Sequence, residues 1–146
     1  MIVTLPKIVI HTDVIVEYLL HTESVRSVLR LALEKFFCYT TVFTAVELFS
    51  IAHTEKERQS IEDALMAMKI LGLNARSSKN IGRWISQQPS LPRLNVLIGG
   101  LCIESQLPLL VMQRNEFRGV KGLKLVPANL LKKNLNAREI LKAATK

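Results

Sequence analysis

Two short apolar runs constrain the fold of this chain more than any other feature: KIVI at 7–10 and LPLLVM at 107–112. Neither alternates apolar with polar residues, as a strand with one wet face would. Such runs belong to strands covered on both sides, and strands of that kind are found mostly in parallel sheets. Two further β-prone segments, CYTTVF at 38–43 and LKLVP at 123–127, complete a set of four expected strands. The long stretches between them carry helical periodicity, so the order is strand, helices, strand, helices, strand, strand. This order predicts a three-layer α/β domain with a small central parallel sheet flanked by helices.

The helical signals are specific. In ESVRSVLRLALEKFF (23–37), Val25, Val28, Leu29, Ala32, Leu33 and Phe36 share one face while Arg26, Arg30 and Lys35 lie off it, the pattern of an amphipathic helix. VIVEYLL follows the first strand, with Thr12 or Asp13 as its expected cap, and Thr44 is expected to cap TAVELFSIA. A longer helix is expected over 55–72, closed by Gly72, and another over 77–88 with Ser77 or Ser78 at its start. PSLP (89–92) breaks the chain before a buried helix at 93–106, which has small residues at Gly99 and Gly100. Residues 1–127 read as the domain proper, and 128–146 as a C-terminal basic amphipathic helix packed on it or extending from it.

A length of 146 residues suits one domain, and 49% apolar content excludes wholesale disorder. No run approaches the ~20 apolar residues of a membrane span. The start, MIVTLPK, lacks the basic n-region of a signal peptide, so the expected location is cytoplasmic with no membrane partner. Cys38 and Cys102 have apolar neighbours and no metal-ligand spacing, and read as reduced core thiols. Twenty Lys and Arg against twelve Asp and Glu give a formal charge of +8. That excess favours polyanionic partners, RNA or DNA first. His21 and His53 read as surface or capping residues, and Trp84 as a core or dimer contact. The serines have no paired His and Asp at a recognisable spacing, which removes support for serine hydrolase chemistry.

Four segments taken in order resemble the PIN domain, and within it the VapC toxins of bacterial toxin–antitoxin pairs. IVIHTDVIVEYLL stands where that family has a strand ending in Asp-Thr-Asn and an apolar helix. TTVFTAVELFSIA matches its Thr-x-x-x-Glu-Leu segment. NVLIGGLCIESQLPLLVMQRNEFRGVKGLKLVP follows the course of its Asp-x-Leu-Ile-Ala-Ala helix, apolar strand, and loop ending in Asp-Phe. The resemblance covers about residues 7–127. It implies acidic side chains gathered at the sheet's carboxyl edge, Mg²⁺ or Mn²⁺ held there, and endoribonuclease activity. It further implies an antitoxin partner and a homodimer, with the helices at 23–37 and 56–71 as the expected interface.

Carried over residue by residue, the metal positions are mostly substituted. His11 stands at the first aspartate, Asn95 opens the Asp-x-Leu-Ile segment, and Arg93 lies two residues earlier. Arg114, or Gln113 in a shifted alignment, occupies the loop position. Glu47 keeps its acidic place, and Asp13 fills a position that is often Asn or Ser. Glu47 and Asp13 are thus the expected metal carboxylates, and His11, Glu47, Asp13 and Asn95 the expected catalytic set. Mg²⁺ needs oxygen ligands, and nearby arginines repel it; a neutral His11 would suit Mn²⁺ or Zn²⁺. Arg93 and Arg114 are expected either to receive RNA phosphates, extended by Lys79, Arg83 and Arg118, or to neutralise Glu47. The expected function is a VapC-like RNA binder with a degenerate metal site. The alternatives are an active Mg²⁺- or Mn²⁺-dependent endoribonuclease toxin and a protein-interaction module that does not bind RNA.

Overall fold

The computed structural model describes residues 4–21, 26–87 and 92–144, and the side chains of residues 114 and 115 lie outside the description. Among the described residues five strands form one sheet: β1 (Lys7–Ile10), β2 (Phe37–Thr41), β3 (Lys69–Leu71), β4 (Leu109–Val111) and β5 (Leu125–Pro127). Their order is β3-β2-β1-β4-β5, and every pairing is parallel. Among the described residues the α-helices are α1 (Thr12–Leu20), α2 (Val28–Lys35), α3 (Val42–Ile51), α4 (Glu55–Met66), α5 (Ala75–Ile85), α6 (Arg93–Ser105) and α7 (Ala137–Ala143). The architecture is the expected three-layer α/β domain.

Uninterrupted apolar strands follow from two cores, one on each face of the sheet. Ile8, Ile10, Leu110 and Val126 point to one side and pack with α1, α2 and α4 through Val14, Ile15, Leu29, Ala32 and Ile61. Their strand neighbours Val9, Leu109, Val111 and Leu125 point to the other, against Ile98, Cys102 and Phe117. The parallel register Val9↔Leu109 and Ile10↔Leu110 keeps each set on its own face, because successive strand side chains alternate sides. Trp84 of α5 packs against this second core beside Gly99 and Gly100, so it is a core contact.

Several local expectations are corrected. β3 was expected as the end of a helix over 55–72; α4 stops at Met66, and Lys69–Leu71 pairs with β2 as an edge strand. Sheet pairing there overrides local periodicity, and a three-residue strand carries too little pattern to announce itself. Thr41, not Thr44, caps α3, its hydroxyl accepting from the Thr44 N–H. Asn74 caps α5 in a reciprocal arrangement with Ser77. The single helix expected over 128–146 is divided into a 3-10 turn at Ala128–Lys132 and α7. Leu131 and Ile140 are buried in the first core, and Lys35 Nζ donates to the Leu135 carbonyl at 2.6 Å. The apolar faces of α2 and α4, expected to supply a dimer interface, are buried inside the protomer by Val28, Leu29, Ala32, Ile61, Ala64 and Leu65. The helix expected over 23–37 begins at Val28 in α2, and residues 22–25 lie outside the described residues.

Candidate functional site

The strand order turns back between β1 and β4, since the chain lays β2 and β3 on one side of β1 and then β4 and β5 on the other. At such a switch point the connections leave the two strand ends in opposite directions and open a crevice at the carboxyl edge. His11 and Asp13 follow β1 into this crevice, and a 3-10 turn at Arg114–Phe117 follows β4 into it from the other side. The site therefore comes from topology, with residues about 100 positions apart meeting.

His11 is 3% exposed. Its backbone N–H completes the sheet by donating to the Leu110 carbonyl at 3.0 Å, and its carbonyl accepts from Val14 N as α1 begins. The ring meets Phe117 edge to face with centroids 4.8 Å apart. Nε2 lies 3.2 Å from Glu116 Oε2. Asp13 lies in the first turn of α1, and its Oδ2 accepts from Met112 N at 3.0 Å and Gln113 N at 3.1 Å. One carboxylate oxygen thus fixes the turn that leaves β4. Burial pushes the Asp13 carboxyl above the usual carboxylate range, against the opposing pull of His11 and the two N–H donors, with Glu116 adding to the rise. Asn95, in the first turn of α6, donates from Nδ2 to the Glu116 carbonyl at 3.0 Å and pins the same turn from a third element.

Buried threonines hold the edge together. Thr40 Oγ1 donates to the Ile10 carbonyl at 2.8 Å, and Thr12 Oγ1 donates to Thr44 Oγ1 at 3.1 Å. The second bond ties the start of α1 to the start of α3, one turn before Glu47. Glu47 Oε1, Asp13 Oδ1 and His11 Nδ1 are buried and have no hydrogen-bond partner among the described residues.

His11, Asp13 and Glu116 each present a ligand atom within 4.8 Å of the others. Glu116 was not among the expected site residues. Its signal was the family's loop ending in Asp-Phe, a place that Glu116-Phe117 fills here, whereas the expectation rested on the earlier loop positions 113 and 114. Glu47 does not join this group. No ion pair links Glu47 to Arg93 among the described residues, and the Arg114 side chain lies outside the description. Arg93 is exposed at the first position of α6, and Arg118 is exposed just past the 3-10 turn, so both flank the crevice. Lys79 and Arg83 are exposed on α5, which packs antiparallel to α6: Asn80 bonds Glu104, about three turns along α6 from Arg93, and Trp84 lies nearer, beside Gly99 and Gly100.

Mg²⁺ demands near-octahedral oxygen coordination; the crevice offers the His11 imidazole, the Glu116 carboxylate and Asp13, one of whose oxygens is committed to backbone N–H groups.

A fully parallel five-stranded sheet with helices on both faces and a polar cluster at the β1–β4 switch point make up a PIN-like α/β fold. No family profile and no curated protein sequence matches the chain. Among solved structures it is similar to a chain of the VapBC2 complex of Rickettsia felis bound to a promoter DNA fragment, with TM-score 0.67, 18% identity, and 82% of this chain and 96% of that one covered. It is similar also to VapBC-1 of nontypeable Haemophilus influenzae, with TM-score 0.68, 13% identity and coverage of 84% and 98%. A toxin–antitoxin complex from Klebsiella pneumoniae gives TM-score 0.63, 18% identity and coverage of 83% and 97%. Likeness at this level of identity is likeness of fold. Among the described residues no helix is long and apolar enough to cross a membrane.

Proposed function

We propose that this chain is the VapC-like member of a toxin–antitoxin pair and binds RNA across the carboxyl edge of its sheet, without the Mg²⁺-dependent cleavage of an all-carboxylate centre. The observation that carries this reading is His11: a buried imidazole paired with Glu116 fills the first metal position. The His11 ring pairs with Glu116, and Asp13 Oδ2 is taken by the backbone N–H groups of Met112 and Gln113. What remains for RNA is electrostatic. The chain has a formal charge of +8, and Arg93 and Arg118 are exposed beside the crevice. Guanidinium groups hold phosphate oxygens through paired N–H donors without a metal bridge.

The antitoxin partner rests on the nature of the neighbouring structures, which are toxin–antitoxin complexes. A homodimer would draw on apolar side chains left exposed, Val46 and Ile51 of α3 at 64% and 54% and Met66 of α4 at 84%. Metal-dependent endoribonuclease activity is the second reading, favoured by the His11–Asp13–Glu116 grouping.

The test is fluorescence anisotropy of a labelled single-stranded RNA in EDTA and again in Mg²⁺ or Mn²⁺, followed by a gel of each sample. Binding in EDTA with intact RNA is expected. Charge reversal of Arg93 and Arg118 together should weaken it and reduce the log–log salt slope by about 1.4, roughly 0.7 per phosphate contact on a single strand. Reversal of Lys56, exposed on α4, should leave the slope nearly unchanged. RNA cleaved in Mn²⁺ and protected by EDTA would establish the endoribonuclease instead. No RNA binding under any condition would leave only the protein-interaction role.

A further inference from the structure

We infer that His11, Asp13 and Glu116 form a site for a borderline transition-metal ion, represented by Zn²⁺, which discriminates against Mg²⁺. This rests on the reading above that the oxygen-only centre is gone. It goes beyond that reading by assigning the remodelled residues a ligand of their own.

The donor set is one imidazole nitrogen and two carboxylate oxygens, which suits Zn²⁺ and leaves a fourth position open. His11 Nε2 and Glu116 Oε2 are 3.2 Å apart. A tetrahedral ion with bonds of 2.0–2.1 Å spreads its ligand atoms to about 3.3 Å, so an ion can replace this contact with little rearrangement. The third ligand atom lies within 4.8 Å of both. Asp13 Oδ1 is buried and accepts no hydrogen bond among the described residues, while Oδ2 is fixed by two backbone N–H groups. Asp13 thus has an oriented carboxylate with one oxygen to spare.

Each ligand is held from behind. The His11 ring is set against Phe117, and the Glu116 backbone is fastened by Asn95. Partners of this kind hold ligands in place for a metal. Selectivity follows from the chemistry of the donors. Affinity of a mixed N/O site rises from Mn²⁺ to Zn²⁺, while Mg²⁺ gives up its waters reluctantly and prefers oxygen in octahedral array.

The experiment is Zn²⁺ titration of the EDTA-stripped full chain, by calorimetry and by competition with a chromophoric chelator, with Mn²⁺ and Mg²⁺ in parallel. Co²⁺ gives a second readout through its visible absorption, which is intense in tetrahedral sites. About one equivalent of Zn²⁺ should bind, Mn²⁺ more weakly, and Mg²⁺ not at millimolar concentration. Glu116→Gln, close to isosteric and partly exposed, should weaken Zn²⁺ binding by about 100-fold and abolish the Co²⁺ bands. Asn95→Ala should weaken it about tenfold, as loss of a supporting partner does. Zn²⁺ binding that is absent, matched by Mg²⁺, or unmoved by Glu116→Gln overturns the inference. RNA binding is measured separately in EDTA: if it persists without a Zn²⁺ site, the proposed function stands and this inference falls. A Zn²⁺ site without RNA binding gives the reverse.

Discussion

Asp13 offers the sharpest test of how the site is built, because its Oδ2 takes two backbone N–H groups from the turn after β4. Asp13→Ala leaves both donors without their acceptor. Hydrogen bonds to a charged group contribute about 1.5–3 kcal/mol each, and a buried donor left unpaired costs about 1–3 kcal/mol. Gln113 is exposed, so water replaces its lost bond cheaply; Met112 is half-buried, so its N–H carries most of the loss. The carboxylate's own burial offsets part of this, since desolvation raises its proton affinity. A net loss of about 2 kcal/mol follows. For a chain of this length that is a fall in melting temperature of roughly 6 °C. Asp13→Asn retains a carbonyl oxygen for both donors and should lose less than about 1 kcal/mol. Thermal unfolding by circular dichroism reads the stability, and amide hydrogen exchange at Met112 and Gln113 reads the turn. An Ala variant that melts with the wild type and keeps slow exchange at Met112 would refute the anchoring role. An Asn variant that falls as far as Ala would show that charge, rather than the two hydrogen bonds, holds the turn.

Gly82 and Gly100 should respond to alanine with opposite signs. A Cβ at Gly82 meets nothing within 4 Å, so the substitution gains about 0.5–1 kcal/mol of helix propensity in α5. A Cβ at Gly100 would lie 3.2 Å from Ile81 Cγ2 and from two atoms of the Trp84 ring. Overpacking of that kind costs about 1–3 kcal/mol, and denaturant midpoints of the two variants should move in opposite directions. Leu110→Ala, at a fully buried position on a central strand, should cost about 2–5 kcal/mol in urea unfolding. Burial pushes the Cys38 thiol up to about 12 and raises that of Cys102 as well. Above about pH 8.5 the unfolded chain loses thiol protons that the folded chain keeps, so stability should fall with rising pH, by up to about 1.4 kcal/mol per unit for each thiol. Replacing Cys38 with Ala should flatten that slope, and neither native thiol should react with a thiol reagent at pH 7.

The covered sheet was legible in KIVI and LPLLVM because burial on both faces removes polar alternation from the strand itself. The PIN-like course was legible too, since its four segments come in order and keep their spacing. The short edge strand β3 was not, because three residues have no periodicity to read and only pairing with β2 defines them. Nor were the caps Thr41 and Asn74 placed correctly, since neighbouring Thr and Ser residues carry the same local chemistry and backbone geometry chooses among them. Composition gave an excess of cations, but only the fold separates Arg93 and Arg118, beside the crevice, from Lys79, on α5 near the far end of α6. The largest difference lies at Glu116. Chain order lists it as an exposed glutamate in a loop, about a hundred residues from His11, with nothing local to tie the two. Parallel pairing of β1 with β4 brings their carboxyl ends together, and the turn held by Asp13 and Asn95 delivers Glu116 to the imidazole. Local patterning determined which segments became strands and helices; long-range register decided which side chains share a site.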